Sequence, residues 1–140
     1  MNIIRYIVIA FSLSAAGAMA KADVRLLFHM GAGAENEFFV GGTVENKGDT
    51  PAAGGVVVIV PVDELCKTGE PRTASFGQIL PGEKKEFRLP FVNTKLHGYR
   101  LISFGAYDDM GFPVTAKDET RDIIMKREDD SRKSCVEKRG

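Results

Sequence analysis

The sequence lacks tryptophan, contains only two histidines and two cysteines, and carries no net charge. Its 19 basic and 19 acidic residues argue against nucleic acid or an anionic membrane surface as the principal partner, because both require a strongly positive face. Beyond the N-terminal segment, no apolar run approaches the roughly 20 residues of a membrane span. We therefore expect no membrane-spanning segment in the mature chain.

Residues 1–20 have the composition of a secretory signal peptide. A short basic start ends at Arg5, an apolar stretch covers residues 6–13, and the Ala-Met-Ala of residues 18–20 supplies the small side chains that signal peptidase requires. We predict cleavage before Lys21 and export through the inner membrane, to the periplasm or to the medium. An uncleaved N-terminal anchor is the alternative, but the apolar stretch is short for that role.

Cys66 and Cys135 are the two cysteines, and export brings both into an oxidising compartment. We expect an intramolecular disulfide that closes a loop of about 70 residues and ties the C-terminal segment to the middle of the chain. Pairing between two copies of the chain is the alternative. A structural metal site would need a CxxC pair or nearby histidines, and the sequence has neither.

Most of the mature chain consists of short apolar segments between turns rich in glycine, proline and asparagine, a pattern typical of consecutive strands. The β-branched run Val56–Val60 predicts a central strand covered on both faces. Pro90 predicts an edge or bulged position for its strand, because proline has no backbone donor. The pattern predicts strands over residues 23–30, 37–45, 55–61, 72–79, 84–92, 99–107 and 112–125.

In the first of these strands, the two-residue period assigns the side chains to two faces. It places Val24, Leu26, Phe28 and Met30 together on one face and His29 on the other, more polar face. A leucine between the two sets interrupts the strict alternation, which suggests that both faces are partly covered.

The C-terminal segment gives a weaker pattern. Residues 123–125 form the clearest apolar segment of the last predicted strand, and a short helix over residues 118–130 is the alternative. The residues that follow form a mixed-charge tail with Cys135 as its anchor. The chain is thus expected to comprise a signal peptide (1–20), a β-sandwich domain (21–126) and a charged C-terminal tail (127–140).

About seven strands, with no alternating long helices, predict an all-β fold, an antiparallel β-sandwich. The organisation resembles fibronectin type III and immunoglobulin-like modules in Val44–Gly48, in Leu80–Glu83 and in Leu96–Tyr99. The resemblance implies that Tyr99 is a corner tyrosine whose hydroxyl bonds to the backbone. The chain departs from these modules in lacking a core tryptophan, and its cysteines are not spaced as the pair of an antibody domain.

No catalytic constellation is visible in the sequence. His29 and His97 are each expected to be solvated or locally hydrogen-bonded rather than catalytic, and Cys66 would be a nucleophile only if reduced. The Asp-Asp pair at 108–109 lacks the spacing of a calcium loop, and the Gly-Ala-Gly at 31–33 lacks the helix and lysine of a phosphate-binding loop. We therefore expect no enzymatic activity, no cofactor and no bound metal.

The remaining candidate for a functional site is the protein surface, since small β-sandwiches bind partners through loops or through an exposed strand edge. Residues 31–36 and the turn at residues 108–113 place small or apolar groups at the surface; the alternative for the turn is that its apolar side chains pack at the sandwich rim. A long crossover at residues 62–75 is expected to leave an edge uncovered, which favours homodimerisation by strand exchange. The candidate contact residues are Gly31, Ala32, Gly33, Asp108, Asp109, Met110 and Phe112.

Residues 21–140 as a whole resemble one family of small exported bacterial proteins, the interleukin receptor mimics of pathogenic Escherichia coli, in size, signal peptide and stand-alone fibronectin III-like sandwich. The resemblance implies a secreted, strand-swapped dimer that binds host interleukins. The chain lacks the Trp-Ser-x-Trp-Ser signature of cytokine receptors, so any mimicry would be of shape.

The leading hypothesis is accordingly an exported, non-enzymatic protein-binding module, a virulence-associated immune modulator that binds host cytokines. The alternatives are a periplasmic structural or assembly accessory protein, an adhesin-like subunit and an inhibitor of a secreted enzyme.

Overall fold

The computed structural model of the protein describes residues 20–34, 37–92 and 96–139. The predicted signal peptide lies outside the described residues except for Ala20, so the leader and its cleavage site stay predictions. The described residues form seven strands and one helix. In chain order these are β1 (Asp23–Ala34), β2 (Glu37–Asn46), β3 (Gly54–Asp63), β4 (Arg72–Phe76), β5 (Lys84–Val92), β6 (Leu96–Tyr107), β7 (Thr115–Asp118) and α1 (Arg121–Arg139).

The strands form two sheets, with the strand orders β5-β2-β1-β7 and β4-β3-β6. Within the described strands every pairing is antiparallel except that of β7, which runs parallel to Asp23–Leu26 of β1. The predicted all-β sandwich of about seven strands is confirmed. As predicted, β5 with Pro90 lies at the edge of its sheet and β3 with its β-branched run lies in the middle of the other.

The hydrophobic core fills the space between the two sheets. Leu26 and Val40 from one sheet and Val57 and Ile59 from the other are completely buried. Each such side chain contributes about 1.5–3 kcal/mol when it leaves water, and this burial holds the sheets together. In a chain without tryptophan, phenylalanines supply bulky core side chains, among them Phe76, Phe87 and Phe91.

β1 extends further than the sequence pattern predicts. Gly31, Ala32 and Gly33, predicted to form a surface loop, continue β1 and pair with β2. Glycine at position 31 is required by packing, because a Cβ there would lie 2.5 Å from Phe38 Cζ and 2.9 Å from Tyr99 Cε1. The glycines therefore admit aromatic rings from neighbouring strands instead of marking a turn. The last two residues of the predicted loop lie outside the described residues.

A β-bulge in β1 reverses the predicted orientation of its second half. The register with β2 shifts between Leu26 and Phe28. Phe28 and Met30 are consequently 46% and 51% exposed, whereas His29 is only 9% exposed. One extra residue in a strand inverts the two-residue period, so simple alternation assigns these three side chains to the wrong faces. The bulge thereby creates a buried histidine.

Two connections also differ from the predictions. The segment 62–75 contains a tight turn and the start of β4, and β4 pairs with Gly55–Ile59 of β3. The expectation that this crossover leaves an edge uncovered is therefore wrong on that side of β3. Residues 96–98, predicted to be a turn, are the start of β6, where Leu96 pairs with Asp63.

The C-terminal segment is helical, so the prediction of a strand over residues 123–125 is wrong. α1 begins after Thr120, whose N–H and hydroxyl donate to Asp118 Oδ1 at 2.8 Å and 2.6 Å. Three consecutive apolar residues do not establish the two-residue period of a strand, and the lysine, arginine and glutamate residues that follow favour a helix. α1 extends to Arg139, so it includes most of the predicted charged tail and exceeds the short helix considered as the alternative.

Asn46, at the end of β2, is a completely buried polar residue. Its Oδ1 accepts hydrogen bonds from the N–H groups of Asp23 at 3.2 Å and Gly48 at 2.9 Å. Its Nδ2 donates to the carbonyl oxygens of Thr50 at 2.8 Å and Ile79 at 3.0 Å. One side chain thus joins the start of β1, the turn after β2 and the segment that precedes β5.

We expect Asn46→Ala to lower the free energy of unfolding by about 3 kcal/mol, because buried backbone donors and acceptors would lose their partners. Urea unfolding followed by circular dichroism measures this change. Asp49→Ala is the matched control, since Asp49 is exposed in the same turn and its replacement should change stability by less than about 0.5 kcal/mol. Equal effects of the two substitutions would contradict the role assigned to Asn46.

Candidate functional site

The connection between β6 and β7, residues 108–113, is here called the β6–β7 tip. Asp108 Oδ1 accepts from the N–H groups of Met110 at 3.0 Å and Phe112 at 2.9 Å. The Asp108 N–H donates to the Phe112 carbonyl at 2.9 Å, and Gly111 adopts a φ of 83°, which glycine tolerates without a steric penalty. These bonds fix the backbone of the turn.

The two large apolar side chains of the tip project into solvent. Met110 is 77% exposed and Phe112 is 61% exposed, so neither packs at the sandwich rim. Asp109 is exposed beside them, while Asp108 uses one carboxylate oxygen to hold the turn. A hydrogen-bonded turn that presents methionine and phenylalanine is typical of a protein contact surface.

The structure does not bring the two predicted contact segments together. β7 pairs in parallel with β1 from Asp23 and Thr115 onward, so the tip lies at the end of the sandwich where β1 begins. Gly31, Ala32 and Gly33 lie towards the other end of β1, about 30 Å away at the usual rise of an extended strand. The predicted candidate surface is therefore divided between opposite ends of the molecule.

The predicted disulfide between Cys66 and Cys135 is present in the structure. Cys66 lies in the turn after β3, and Cys135 lies in the second half of α1. The bond therefore joins the helix to the end of the sandwich opposite the β6–β7 tip.

The turn that carries Cys66 repeats the hydrogen bonds of the tip. Asp63 Oδ1 accepts from the N–H groups of Leu65 and Lys67 at 2.9 Å each. Cys66 takes the place that Gly111 has in the tip, and its φ of 62° is a conformation that a side chain disfavours. The disulfide is therefore made at a position where the backbone would favour glycine.

A groove of 650 Å³ lies between α1 and the sandwich and is here called the α1 groove. It forms where the sandwich has no further strand among the described residues: β7 pairs with β1 only as far as Leu26, and β6 is the outermost strand of its sheet. Ile124 and Glu128, one helical turn apart, line the α1 side. The opposite side includes His29, Leu101 and Phe104.

Buried His29 and half-buried Tyr99 form a polar pair beside this groove. His29 Nδ1 lies 2.6 Å from the Tyr99 hydroxyl, and His29 Nε2 is buried without a partner among the described residues. Burial lowers the pKa of His29, against a weaker opposing effect of the Asp118 carboxylate. Burial, together with the charges of Glu128 and Asp118, raises the pKa of Tyr99 to about 12. At neutral pH the imidazole is uncharged and the phenol is protonated.

The resemblance to fibronectin III modules implies that the Tyr99 hydroxyl bonds to the backbone, but within the described residues its hydrogen-bond partner is a side chain. The hydroxyl bonds to His29 instead. The cause is the bulge in β1, which turns the imidazole away from solvent and towards β6.

We expect the protein to lose stability as the pH falls below about 6.5, the pKa of a solvated histidine. His29 has a lowered pKa in the folded state, so in this range the unfolded chain binds the proton and the folded chain does not. The loss approaches about 1.4 kcal/mol per pH unit until the pH reaches the pKa of the folded state. Urea unfolding between pH 7 and pH 5 measures the slope.

The matched pair of variants is His29→Gln and His97→Gln. His29→Gln should flatten this part of the profile, while His97→Gln, at an exposed position, should preserve it. An unchanged slope in His29→Gln would contradict the assignment to His29.

In the described ranges 20–34, 37–92 and 96–139, no helix has the length and apolarity needed to cross a membrane. Within the same residues, no three side chains of the kinds that bind metals cluster together.

These features define a β-sandwich with a disulfide-tethered C-terminal helix and an exposed apolar tip. No family model and no curated protein matches the sequence. The fold is similar to the solved structure of IrmA from Escherichia coli, with a TM-score of 0.47 and 10% sequence identity over 72% of this chain and 92% of that chain. It is also similar to part of a β-glucosidase from Kluyveromyces marxianus, with a TM-score of 0.37 and 11% identity over 70% of this chain and 15% of the glucosidase.

Proposed function

We propose that the mature protein is an exported, non-enzymatic protein-binding module that contacts its partner through the β6–β7 tip. The observation that carries the proposal is the exposure of Met110 and Phe112 on a turn held by Asp108. A preorganised backbone loses little conformational entropy on binding, and buried aromatic anchors supply much of the affinity of protein interfaces.

The disulfide between Cys66 and Cys135 supports the exported location, because structural disulfides persist in oxidising compartments and are rare in the cytosol. The predicted signal peptide supports the same location. An exported module meets proteins of the periplasm or of the surrounding medium. We assign its partner to the host interleukins, the class implied by the resemblance in the sequence, which makes the module a modulator of immune signalling.

The test is a binding screen with oxidised mature protein, residues 21–140, immobilised and exposed to a panel of purified human interleukins. We expect saturable binding of at least one interleukin at micromolar concentration or below. Absence of binding across the panel at about 10 µM would overturn the assignment to interleukins.

Fractionation of the producing bacteria tests the location independently. A host-facing role requires the mature protein in the culture medium. Complete retention in the osmotic-shock fraction, together with a negative interleukin panel, would instead favour a periplasmic accessory protein.

A further inference from the structure

We propose that the α1 groove is a second docking site, and that it takes an arginine or lysine side chain from an extended segment of a partner protein. The alkyl stem would lie against the apolar walls and the cation would lie between Asp118 and Glu128. This proposal goes beyond the function proposed for the β6–β7 tip, because it concerns a separate surface with a different chemistry.

The apolar part of the groove comes from both of its sides. Leu101 and Ile102 of β6 line it from the sandwich, and Ile124 and Met125 of α1 line it from the helix. Ile102 and Met125 are half-exposed, although they border a concave surface. A flexible aliphatic stem can cover such side chains while its charged end stays hydrated or paired, which is how lysine and arginine commonly contact apolar surface.

The charges of the groove favour a cation. Its lining contains four carboxylates and two basic side chains: Asp118, Glu119, Asp122 and Glu128 against Lys117 and Arg121. Glu119 is paired outside the groove with Lys47 at 3.2 Å and with Arg25 at 3.8 Å. Asp122 and Glu128 take part in no ion pair within the described residues.

The negative charge of the groove acts on the His29–Tyr99 pair beside it. Asp118 on β7 and Glu128 on α1 both line the groove, and both carboxylates act on the hydroxyl of Tyr99. A guanidinium or ammonium group placed between them would interact with both charges. Its several N–H donors match the acceptors available there.

A second observation, independent of the acidic residues, also indicates a ligand. His29 lines the groove, is nine-tenths buried, and has no partner for Nε2 among the described residues. A bound segment would supply that partner: a donor where Nε2 is unprotonated, or a backbone carbonyl where the Tyr99 hydroxyl donates to Nδ1 and Nε2 carries the proton. The preference for a cation comes from the carboxylates of the groove.

The surroundings favour a polypeptide over a free amine. β7 covers β1 only as far as Leu26, and β6 has no further strand beside it among the described strands. An extended segment can therefore lie along these edges while one side chain enters the groove. Extended peptides commonly bind to open strand edges in this way.

The test uses the oxidised mature protein labelled with ¹⁵N and the blocked peptide acetyl-Gly-Leu-Arg-Leu-Gly-amide. The matched control peptide carries citrulline, which has nearly the shape of arginine but no charge. We expect saturable amide shifts at Ala116, Asp118 and Ile124, and affinity at least about tenfold weaker for the citrulline peptide. N-butylguanidine should bind more weakly than the arginine peptide if a polypeptide is the occupant.

The protein variants are Glu128→Gln and, as the matched control, Asp129→Asn on the same helix but outside the groove lining. Circular dichroism establishes that α1 is retained in both. We expect Glu128→Gln to weaken the arginine peptide at least about fivefold and Asp129→Asn to leave its affinity unchanged.

Four results would overturn the proposal: no saturable shift at about 5 mM peptide, equal affinity for the citrulline peptide, equal losses in the two variants, or shifts confined to the β6–β7 tip. N-butylguanidine binding as tightly as the peptide would overturn the assignment to a partner protein. Met110→Asp should leave peptide binding intact, so failure at the groove and failure at the tip can be distinguished.

Discussion

Replacing both cysteines with serine, in the variant Cys66→Ser/Cys135→Ser, is expected to lower the free energy of unfolding by about 4 kcal/mol. The disulfide joins residues 69 apart in the sequence, so its loss frees a long loop in the unfolded chain. Two apolar side chains of α1 are poorly buried, since Ile123 is largely exposed and Met125 is half-exposed. Urea unfolding at pH 7, compared with the oxidised wild-type protein, measures the difference.

A second disulfide-free variant tests whether the Cys66 turn is strained. Cys66→Gly/Cys135→Ser should be about 1 kcal/mol more stable than the double serine variant, because glycine adopts the φ of 62° at position 66 at no steric cost. A loss below about 1 kcal/mol in the double serine variant would contradict the stabilising role of the bond. Equal stability of the two variants would contradict the strain assigned to the turn.

Met110→Asp and Phe112→Asp are each expected to weaken partner binding about 30-fold, and the double variant more than 100-fold. The estimate assumes about 2 kcal/mol for each buried anchor, the lower limit of a hot spot. Both side chains are exposed in the unbound protein, so the folded state should lose less than about 0.5 kcal/mol. Surface binding measurements with an interleukin found in the panel, together with urea unfolding, provide the two readouts.

Ile123→Asp is the matched control for the tip variants. Ile123 is 63% exposed, close to the exposure of Phe112, but it lies on α1 rather than in the tip and outside the α1 groove lining. The control should bind as tightly as the wild-type protein. A loss of less than about threefold in the double tip variant, or an equal loss in Ile123→Asp, would contradict the assignment of the contact surface.

The sequence predicts the strands well where local patterns are decisive. The β-branched run Val56–Val60 predicts a central strand, and it lies in the middle strand β3, although Val56 and Val58 are only half-buried. Pro90 removes a backbone donor, and its strand β5 lies at a sheet edge. The turn at Asp108 is also predicted, because Asp, Gly and their spacing encode the turn locally.

The predictions that are wrong depend on residues outside the local segment from which each was made. Gly31 resembles a turn residue in the sequence, but it makes room for rings from β2 and β6 that are distant in the chain. The bulge after Leu26 inverts the faces of β1, and the interrupted alternation at Leu27 was its only visible signal. Residues 123–125 alone do not distinguish strand from helix, whereas the charged residues that follow favour a helix.

In the candidate site, too, local patterns predict some features, whereas others depend on contacts between residues distant in the sequence. The exposed tip follows from local turn chemistry, and the pairing of Cys66 with Cys135 follows from the predicted compartment. The His29–Tyr99 pair joins residues 70 apart and depends on the bulge, so no local pattern predicts it. The α1 groove likewise exists only because the helix, β6 and β7 converge.

The most direct test of the central claim, that the β6–β7 tip is the partner contact, is site-specific photo-crosslinking. p-Benzoylphenylalanine is placed at position 112 in one sample and, as the control, at position 28, where Phe28 is exposed on the sandwich itself. Each protein is irradiated with the human interleukin panel, and products are identified by mass spectrometry. We expect an interleukin adduct from position 112 and none from position 28. An adduct from position 28 alone, or from neither position, would contradict it.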